Sequence, residues 1–142
     1  MDLSYIIIPV IVLISSQVLK LLTDGIKGNF DLHNLFASYG GFPSAHTAFA
    51  ISITTLVGLR LGFDSAIFGV ALVFSLLIMR DAVAFRGLLG KQAKIFNQLI
   101  KKMPETEKKN MPLFRERMGH SIFEVSGGMI WGVLLTYFLS LL

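Results

Sequence analysis

The sequence predicts an all-α integral membrane protein: one domain over residues 1–142, built as a bundle of four transmembrane helices plus a basic amphipathic interfacial helix. Three observations favour this fold class. Hydrophobic residues make up 54% of the chain and charged residues only 15%, whereas a soluble domain has about 25% charged residues. The apolar residues form four long blocks, and the basic residues lie almost entirely on one side of them. With no cysteine, a disulfide scaffold or a Cys-ligated metal domain is excluded.

Four segments have the length and apolarity of membrane spans. A spanning helix needs about 20 residues, with a range of about 17–25, and four such segments do not close a β-barrel. The first segment has no basic n-region and no small-residue cleavage site, so we expect it to be retained and not removed as a signal peptide. The alternative is a very apolar soluble helical bundle. The four segments are Leu3–Leu22, His46–Gly62, Ser65–Phe85 and Ser121–Leu142.

A fifth helical pattern follows the third span. From Leu88 to Met103, apolar residues recur at helical spacing, while lysines and amides occupy the opposite face. This pattern predicts a basic amphipathic helix suited to the interface of an anionic leaflet. The alternative is a helix that only packs on the bundle. The stretch from Pro104 to Pro112 is predicted to be a solvated loop.

The charge distribution predicts the orientation of the bundle. Of the 13 Lys and Arg residues, only Arg60 lies toward the side that holds both chain termini. Cytoplasmic loops collect Lys and Arg. We therefore expect a multi-pass protein of the cell inner membrane, whose loops 23–45 and 86–120 face the cytoplasm.

Polar and ionisable residues gather at the basic ends of all four spans. Such residues are costly at membrane depth and usually mark a functional site. The stretch Gly40 to His46 predicts a glycine turn, a proline and a helix start with Ser44 as N-cap, which is a potential anion site. His120 and Glu124 are four residues apart, so on a helix the carboxylate can orient the imidazole. The full set is Lys20, Ser44, His46, Arg80, Asp81, Arg86, His120 and Glu124.

Two histidines, one acid and several cations are typical of a metal-independent phosphoryl-transfer site. One histidine can attack phosphorus and another can protonate the leaving oxygen, while guanidinium groups match phosphate oxygens. Individual residues have simpler alternatives: Lys20 can extend to the lipid headgroups, and Arg80 with Asp81 can form a structural pair. Gly128 and Gly132 are expected to allow close helix packing.

Three motifs together resemble a known membrane family. Pro43-Ser-Ala-His46 and His120-x3-Glu124 resemble the second and third signatures of type 2 phosphatidic acid phosphatases and vanadium haloperoxidases. With Arg80-Asp-Ala-x3-Arg86-x3-Gly-Lys-Gln-Ala, they most closely resemble the small divergent PAP2 family, over roughly Lys20 to Gly132.

The resemblance implies a role for each matching residue. His120 takes the place of the nucleophile that forms a phosphohistidine, Glu124 that of the acid that orients it, and His46 that of the leaving-group acid. Lys20 and Ser44 take the places of phosphate-binding residues.

The chain also departs from the signatures of the larger superfamily. The arginine of the first signature is absent after Lys20, and Phe114 stands where the third signature has an arginine. We therefore assign the phosphate-clamping role to Arg80 and Arg86, with Asp81 in the same binding group.

The sequence thus predicts a membrane lipid phosphate phosphatase that needs no metal or other cofactor and acts on the cytoplasmic face. Phosphatidylglycerophosphate or a related lipid phosphate is the expected substrate. The alternatives are a phosphatase for undecaprenyl pyrophosphate or another polyprenyl phosphate, a haloperoxidase, and a non-catalytic phospholipid-binding membrane protein. A lipid kinase is disfavoured because no Gly-x4-Gly-Lys-Ser/Thr loop is present. The expected partners are membrane lipids and a second copy in a homodimer, with no nucleic acid.

Overall fold

The computed structural model of the chain describes residues 3–24, 41–109, 111–116 and 118–142. Every regular element in these ranges is helical. Most of the predicted cytoplasmic loop 23–45 lies outside the described residues. The helices are α1 (Ser4–Asp24), α2 (Ala45–Leu61), α3 (Ala66–Arg80), α4 (Arg86–Lys102), α5 (Glu105–Lys108) and α6 (Ile122–Ser140), and a π-helical turn (Asp81–Phe85) joins α3 to α4.

The predicted all-helical membrane fold is confirmed. Helix α1, the continuous helical stretch Ala66–Lys102 and helix α6 are long and apolar enough to cross a membrane. Helix α2 has 17 residues, at the lower end of the spanning range of about 17–25. These elements lie where the hydropathy pattern predicts the four spans, because long apolar blocks satisfy their backbone hydrogen bonds in lipid only as helices.

Helix α2 is the centre of the bundle, because α1, α3 and α6 all pack against it. Its sequence is rich in alanine, serine, threonine and glycine, and most of its residues are buried. Small residues let helix backbones approach closely, which is how helices associate inside a membrane. The larger aliphatic side chains of α1, α3 and α6 are exposed on the outside of the bundle.

Gly128 and Gly132 bring α6 close to α2, as the sequence predicts. A Cβ at Gly132 would lie 2.7 Å from the carbonyl oxygen of Ala48 and 3.1 Å from its Cα, and a Cβ at Gly128 would collide with the carbonyl oxygen of Ser44. These are backbone atoms, which cannot move aside as the end of a flexible side chain can. The two glycines therefore set the separation of α2 and α6.

Hydroxyl pairs join α2 to its neighbours within the apolar core. The Oγ1 of Thr54 and the Oγ of Ser75 on α3 are 2.7 Å apart. The Oγ1 of Thr136 on α6 donates to the Oγ of Ser52 at 2.6 Å. Because hydrocarbon offers no hydrogen-bonding partner, these pairs satisfy the buried hydroxyls and also fix the register of the helices.

Helix α4 continues α3 through the π-helical turn, with no loop between them. It is amphipathic as predicted, with exposed apolar residues such as Leu88 and Ile95 on one face and lysines on another. A third face is covered by the segment that leads back to α6. There the Nδ2 of Asn97 donates to the carbonyl oxygen of Phe114, and the Oδ1 of Asn97 accepts from the Phe114 N–H, both at 2.8 Å.

The prediction of a solvated loop from Pro104 to Pro112 is wrong in one respect. The short helix α5 forms there, and its first turn contains Glu105 and Glu107. Acidic residues stabilise the N-terminal turn of a helix through its dipole, and the Nζ of Lys108 also bonds the Oε1 of Glu105 at 2.6 Å. The stretch is otherwise exposed as expected.

We predict that Gly132→Ala destabilises the folded protein by about 1–3 kcal/mol, the usual cost of overpacking a tight core. Gly69→Ala is the matched control in α3, because a Cβ at Gly69 would meet no atom within 4 Å. Thermal unfolding of the purified protein in detergent measures the difference. Equal melting temperatures for the two variants would contradict the close packing of α6 on α2.

Candidate active site

A cavity of about 530 Å³ lies beside the first turn of α2 and the C-terminal end of α3. One part of its wall is polar and the other is apolar. Among the apolar lining residues, Phe74 is 62% exposed and Leu77 is 52% exposed, so the cavity opens toward the outer surface of the bundle. The polar lining residues are His46, Asp81, Arg86 and His120, and the apolar ones are Phe49, Phe74, Leu77, Ile78 and Ala82.

The structure therefore brings four of the predicted site residues to one cavity, from α2, the π-helical turn, the start of α4 and the segment before α6. Lys20 does not line the cavity, but its positive charge acts on the imidazoles of both His46 and His120. Arg80 is exposed and does not line the cavity either. It directly precedes Asp81 on the helix, so it points about 100° away from it. The assignment of Arg80 to the phosphate clamp is not supported by this geometry.

Asp81 holds Arg86 at the wall of the cavity. The Nε of Arg86 donates to the Oδ2 of Asp81 at 2.7 Å, and the two side chains are 30% and 45% exposed. Because a carboxylate repels a phosphate group, the geometry favours Asp81 as the residue that positions the guanidinium. Arg86 is then the cation that can contact an anionic group in the cavity.

The carboxylate of Glu124, which is predicted to orient the imidazole of His120, does not bond to its Nδ1. Its Oε2 accepts from the N–H of Ser121 at 2.8 Å in a capping box, and its Oε1 accepts from the N–H of Gly41 at 3.0 Å. The Nδ1 of His120 is buried and has no hydrogen-bond partner among the described residues. The spacing argument fails because α6 begins at Ile122, so His120 lies before the helix.

Ser44 stands at the predicted N-cap of α2, but its side chain does not face the cavity. It is fully buried, and its Oγ lies 2.9 Å from the Oγ1 of Thr47. Its N–H donates to the carbonyl oxygen of Glu124 at 2.9 Å. Gly41, with a φ of 104° that favours glycine, leads into this start. The predicted helix start thus forms, but it binds α6 and leaves no free N–H of Ser44 for an anion.

Close backbone contacts place His120 beside the π-helical turn. Its N–H donates to the carbonyl oxygen of Ala82 at 3.0 Å. A Cβ at Gly119 would lie 2.6 Å from the nitrogen of Gly87, so this approach requires glycine at position 119. With Nδ1 enclosed, the Nε2 of His120 is the ring nitrogen that can reach a ligand in the cavity.

The surroundings of His120 favour its neutral form. Burial, the largest effect, lowers the pKa of His120; the Glu124 carboxylate raises it, and the charges of Lys20 and Arg86 lower it further. The net pKa lies below the ordinary value of 6.5. A neutral imidazole has the lone pair that a nucleophile or a general base needs.

The charges around the cavity suit an anion. Among the described residues, no group of three or more His, Cys, Asp and Glu side chains could hold a metal ion. Arg86 lies in the wall and the charge of Lys20 reaches both histidines. An anionic group between His46 and His120 would therefore be attracted by two cations.

The apolar wall of the cavity and the glycines behind His120 were not predicted from the sequence. Residues such as Phe49 and Phe74 match the hydropathy pattern of any span, so nothing in the sequence marks them as cavity residues. Gly90 did carry a signal, because a glycine inside a helix lowers its stability unless another backbone needs the space of the missing Cβ. A Cβ at Gly90 would collide with the carbonyl oxygen of Glu116.

Comparison with known proteins shows similarity to a membrane protein family and to a bacterial membrane protein. The model of the family described as "Divergent PAP2 family" matches residues 1–135 of the chain. The "Uncharacterized membrane protein YuiD" of Bacillus subtilis (strain 168) is 33% identical over 139 residues, which cover 90% of this chain and 88% of that relative. No solved structure matches the chain.

We predict that His120 titrates with a midpoint below 6.5, because its burial disfavours the charged imidazole. Below pH 6.5 the imidazole of His120 binds a proton more readily in the unfolded chain than in the folded protein. The folded protein therefore becomes less stable as the pH falls below this value. NMR of the protein with isotope-labelled histidine measures the midpoint, and His120→Asn identifies the resonance. A midpoint at or above 6.5 would contradict the described environment.

Proposed function

We propose, from the premise that this chain belongs to the divergent PAP2 family, that it is a membrane lipid phosphate phosphatase acting through a phosphohistidine without a metal ion. The observation that supports this proposal is the divided cavity. His46, Arg86 and His120 line its polar part, and Phe49, Phe74, Leu77 and Ile78 line its apolar part. A lipid phosphate has the same division, with an anionic group joined to a hydrocarbon tail.

In the first step, the Nε2 of His120 attacks the phosphorus atom. An N–P bond forms while the bond from phosphorus to the lipid oxygen breaks. His46 enters this step protonated, a form that the negative charge of the bound phosphate favours, and it donates its proton to that oxygen so that the lipid leaves as an alcohol. Arg86 offsets the negative charge on the phosphoryl oxygens. The lowered pKa of His120 keeps the attacking imidazole neutral at pH 7.

In the second step, water releases the phosphate. His46, now neutral, accepts a proton from a water molecule whose oxygen attacks the phosphorus atom. The N–P bond breaks, His120 regains its lone pair and inorganic phosphate leaves. One phosphate ester and one water molecule thus become one alcohol and one phosphate, and both histidines return to their starting forms.

The substrate that fits best is a phospholipid phosphate monoester made on the cytoplasmic side, such as phosphatidylglycerophosphate. The cavity opens toward the outer surface of the bundle through Phe74 and Leu77, so a lipid can reach it from within the leaflet. The site residues stand at the basic end of the bundle, which the positive-inside rule places in the cytoplasm. A polyprenyl pyrophosphate is the alternative if the orientation is reversed.

One observation favours a second candidate, a non-catalytic phospholipid-binding protein. Both carboxylate oxygens of Glu124 accept backbone N–H groups, and the Nδ1 of His120 has no hydrogen-bond partner among the described residues. An imidazole without an orienting acceptor is a weaker nucleophile. Such a site could hold a phosphate headgroup through Arg86 without cleaving it.

We predict that His120→Asn and His46→Asn each lower phosphate release by about 10²–10⁴-fold, the usual contribution of an acid–base or nucleophilic group. The assay uses the purified protein, a panel of lipid phosphates and a chelator, in which wild-type activity persists and is blocked by vanadate. Acid quenching with labelled substrate should trap a phosphohistidine in wild type and none in His120→Asn.

The matched control compares Arg86→Gln with Arg60→Gln, the same substitution at opposite ends of the bundle. We expect a large loss of activity for the first and none for the second. Full activity in a folded His120→Asn, or a strict requirement for a divalent metal, would refute the mechanism. Lipid binding without any phosphate release would establish the second candidate.

We also predict that the basic end of the bundle faces the cytoplasm. Each basic residue near an anionic leaflet contributes about 1 kcal/mol of attraction, so the reversed orientation is disfavoured. A cysteine introduced at Thr106 should resist an impermeant thiol reagent in intact cells, whereas one at Asp64 should be labelled. Both positions are exposed, and the chain has no cysteine of its own. The opposite labelling pattern would make polyprenyl pyrophosphates the favoured substrates.

A further inference from the structure

A second cavity, of about 400 Å³, lies between α4 and the segment that leads into α6. His120 lines both this cavity and the first one. The two cavities differ in chemistry, because the aromatic and aliphatic wall of the first is replaced here by glycines and charged side chains. Besides His120, the second cavity is lined by Gly87, Gly90 and Gly119, by Lys91, Lys94 and Glu116, and by Met118.

We propose that the second cavity binds inorganic phosphate as it leaves His120 and is the path by which phosphate reaches water. This inference rests on the proposed phosphatase function, and it adds a product site on residues outside the cavity that holds the lipid. The lipid would occupy the first cavity, the phosphorus would lie at His120, and the released phosphate would leave on the opposite side.

The first cavity is a poor path for phosphate. Its opening toward the lipid-facing surface runs past the apolar side chains of Phe74 and Leu77, and moving an unpaired ion through such surroundings is very costly. The attacking water stands beside His46 in the first cavity, but the phosphate that it releases is an anion and needs a second, polar path away from the same imidazole.

The charges of the second cavity suit a phosphate that must be bound and then released. Lys91 and Lys94 are three residues apart, so they lie on the same face of α4, and their ammonium groups can donate to phosphate oxygens. Glu116 carries the opposite charge, and its Oε1 accepts from the Nδ2 of Asn97 at 2.9 Å. Among the described lining residues, two lysines against one carboxylate leave a net positive charge, while the carboxylate weakens the binding of the anion.

The test is a calorimetric titration of the detergent-solubilised protein with inorganic phosphate. We expect Lys91→Gln/Lys94→Gln to weaken phosphate binding by about tenfold or more, because hydrogen bonds from charged donors are stronger than those from a neutral amide. The matched control is Lys101→Gln/Lys102→Gln, which makes the same charge change on the same helix outside the cavity. All four lysines are exposed, so both variants should fold, and the control should bind phosphate like wild type.

A third variant is expected to change the affinity for phosphate in the opposite direction. Glu116→Gln removes the negative charge and keeps an oxygen that can accept from Asn97, so phosphate should bind severalfold more tightly. Where turnover is measurable, phosphate should also become a stronger product inhibitor of this variant and a weaker one of Lys91→Gln/Lys94→Gln.

The binding and turnover measurements separate the two proposals. Wild-type phosphate binding that depends on Lys91 and Lys94, without any lipid phosphatase activity, would refute the proposed reaction and support the anion site. Active enzyme with phosphate binding unchanged in Lys91→Gln/Lys94→Gln would refute the product site alone. Equal weakening in both lysine variants, or no phosphate binding to wild type at millimolar concentration, would also overturn it.

Discussion

Glu124 joins the N-terminal ends of α2 and α6, and the geometry of the candidate site depends on this junction. One carboxylate oxygen caps α6, the other binds the N–H of Gly41, and the carbonyl oxygen of the same residue accepts the N–H of Ser44. His46 follows one of these contacts and His120 precedes another. Apolar packing alone lets helices slide along each other, whereas hydrogen bonds to backbone atoms fix their register. The relative placement of the two imidazoles is thus a property of the main chain.

The bundle has at its centre a helix rich in small residues and hydroxyl groups, which follows from the bilayer as solvent. In hydrocarbon, large aliphatic side chains gain nothing by leaving the lipid, whereas hydroxyls gain a partner by turning inward. The small residues and hydroxyls of α2 therefore face the other helices, and Thr54 and Ser52 pair with Ser75 and Thr136. Because α2 is held on several sides, its first turn is a rigid base for His46.

The sequence predicts the helices well and the site in part. A long apolar segment satisfies its backbone hydrogen bonds in lipid only as a helix, so the positions of the spans follow from hydropathy. The polar ends of the spans predict that His46, Asp81, Arg86 and His120 meet. The role of Glu124 depends on where α6 begins, which hydropathy does not resolve, and the burial of Ser44 depends on the approach of Gly128. The second cavity depends on a returning segment whose path is set by backbone contacts that have no periodic signal.

The π-helical turn has a consequence for which insertions and deletions this chain tolerates during evolution. A π-type turn holds one more residue per hydrogen-bonded ring than an α-helix does, so it has the form that a one-codon insertion leaves in a helix. In an α-helix, five steps of about 100° would turn Arg86 about 140° away from Asp81, whereas the wider turn brings the two onto one face, where the Nε of Arg86 donates to the Oδ2 of Asp81. Losing one codon between them would restore an ordinary α-helix with the acid and the arginine four residues apart and still on one face, so descendants can lose the extra residue and keep the ion pair.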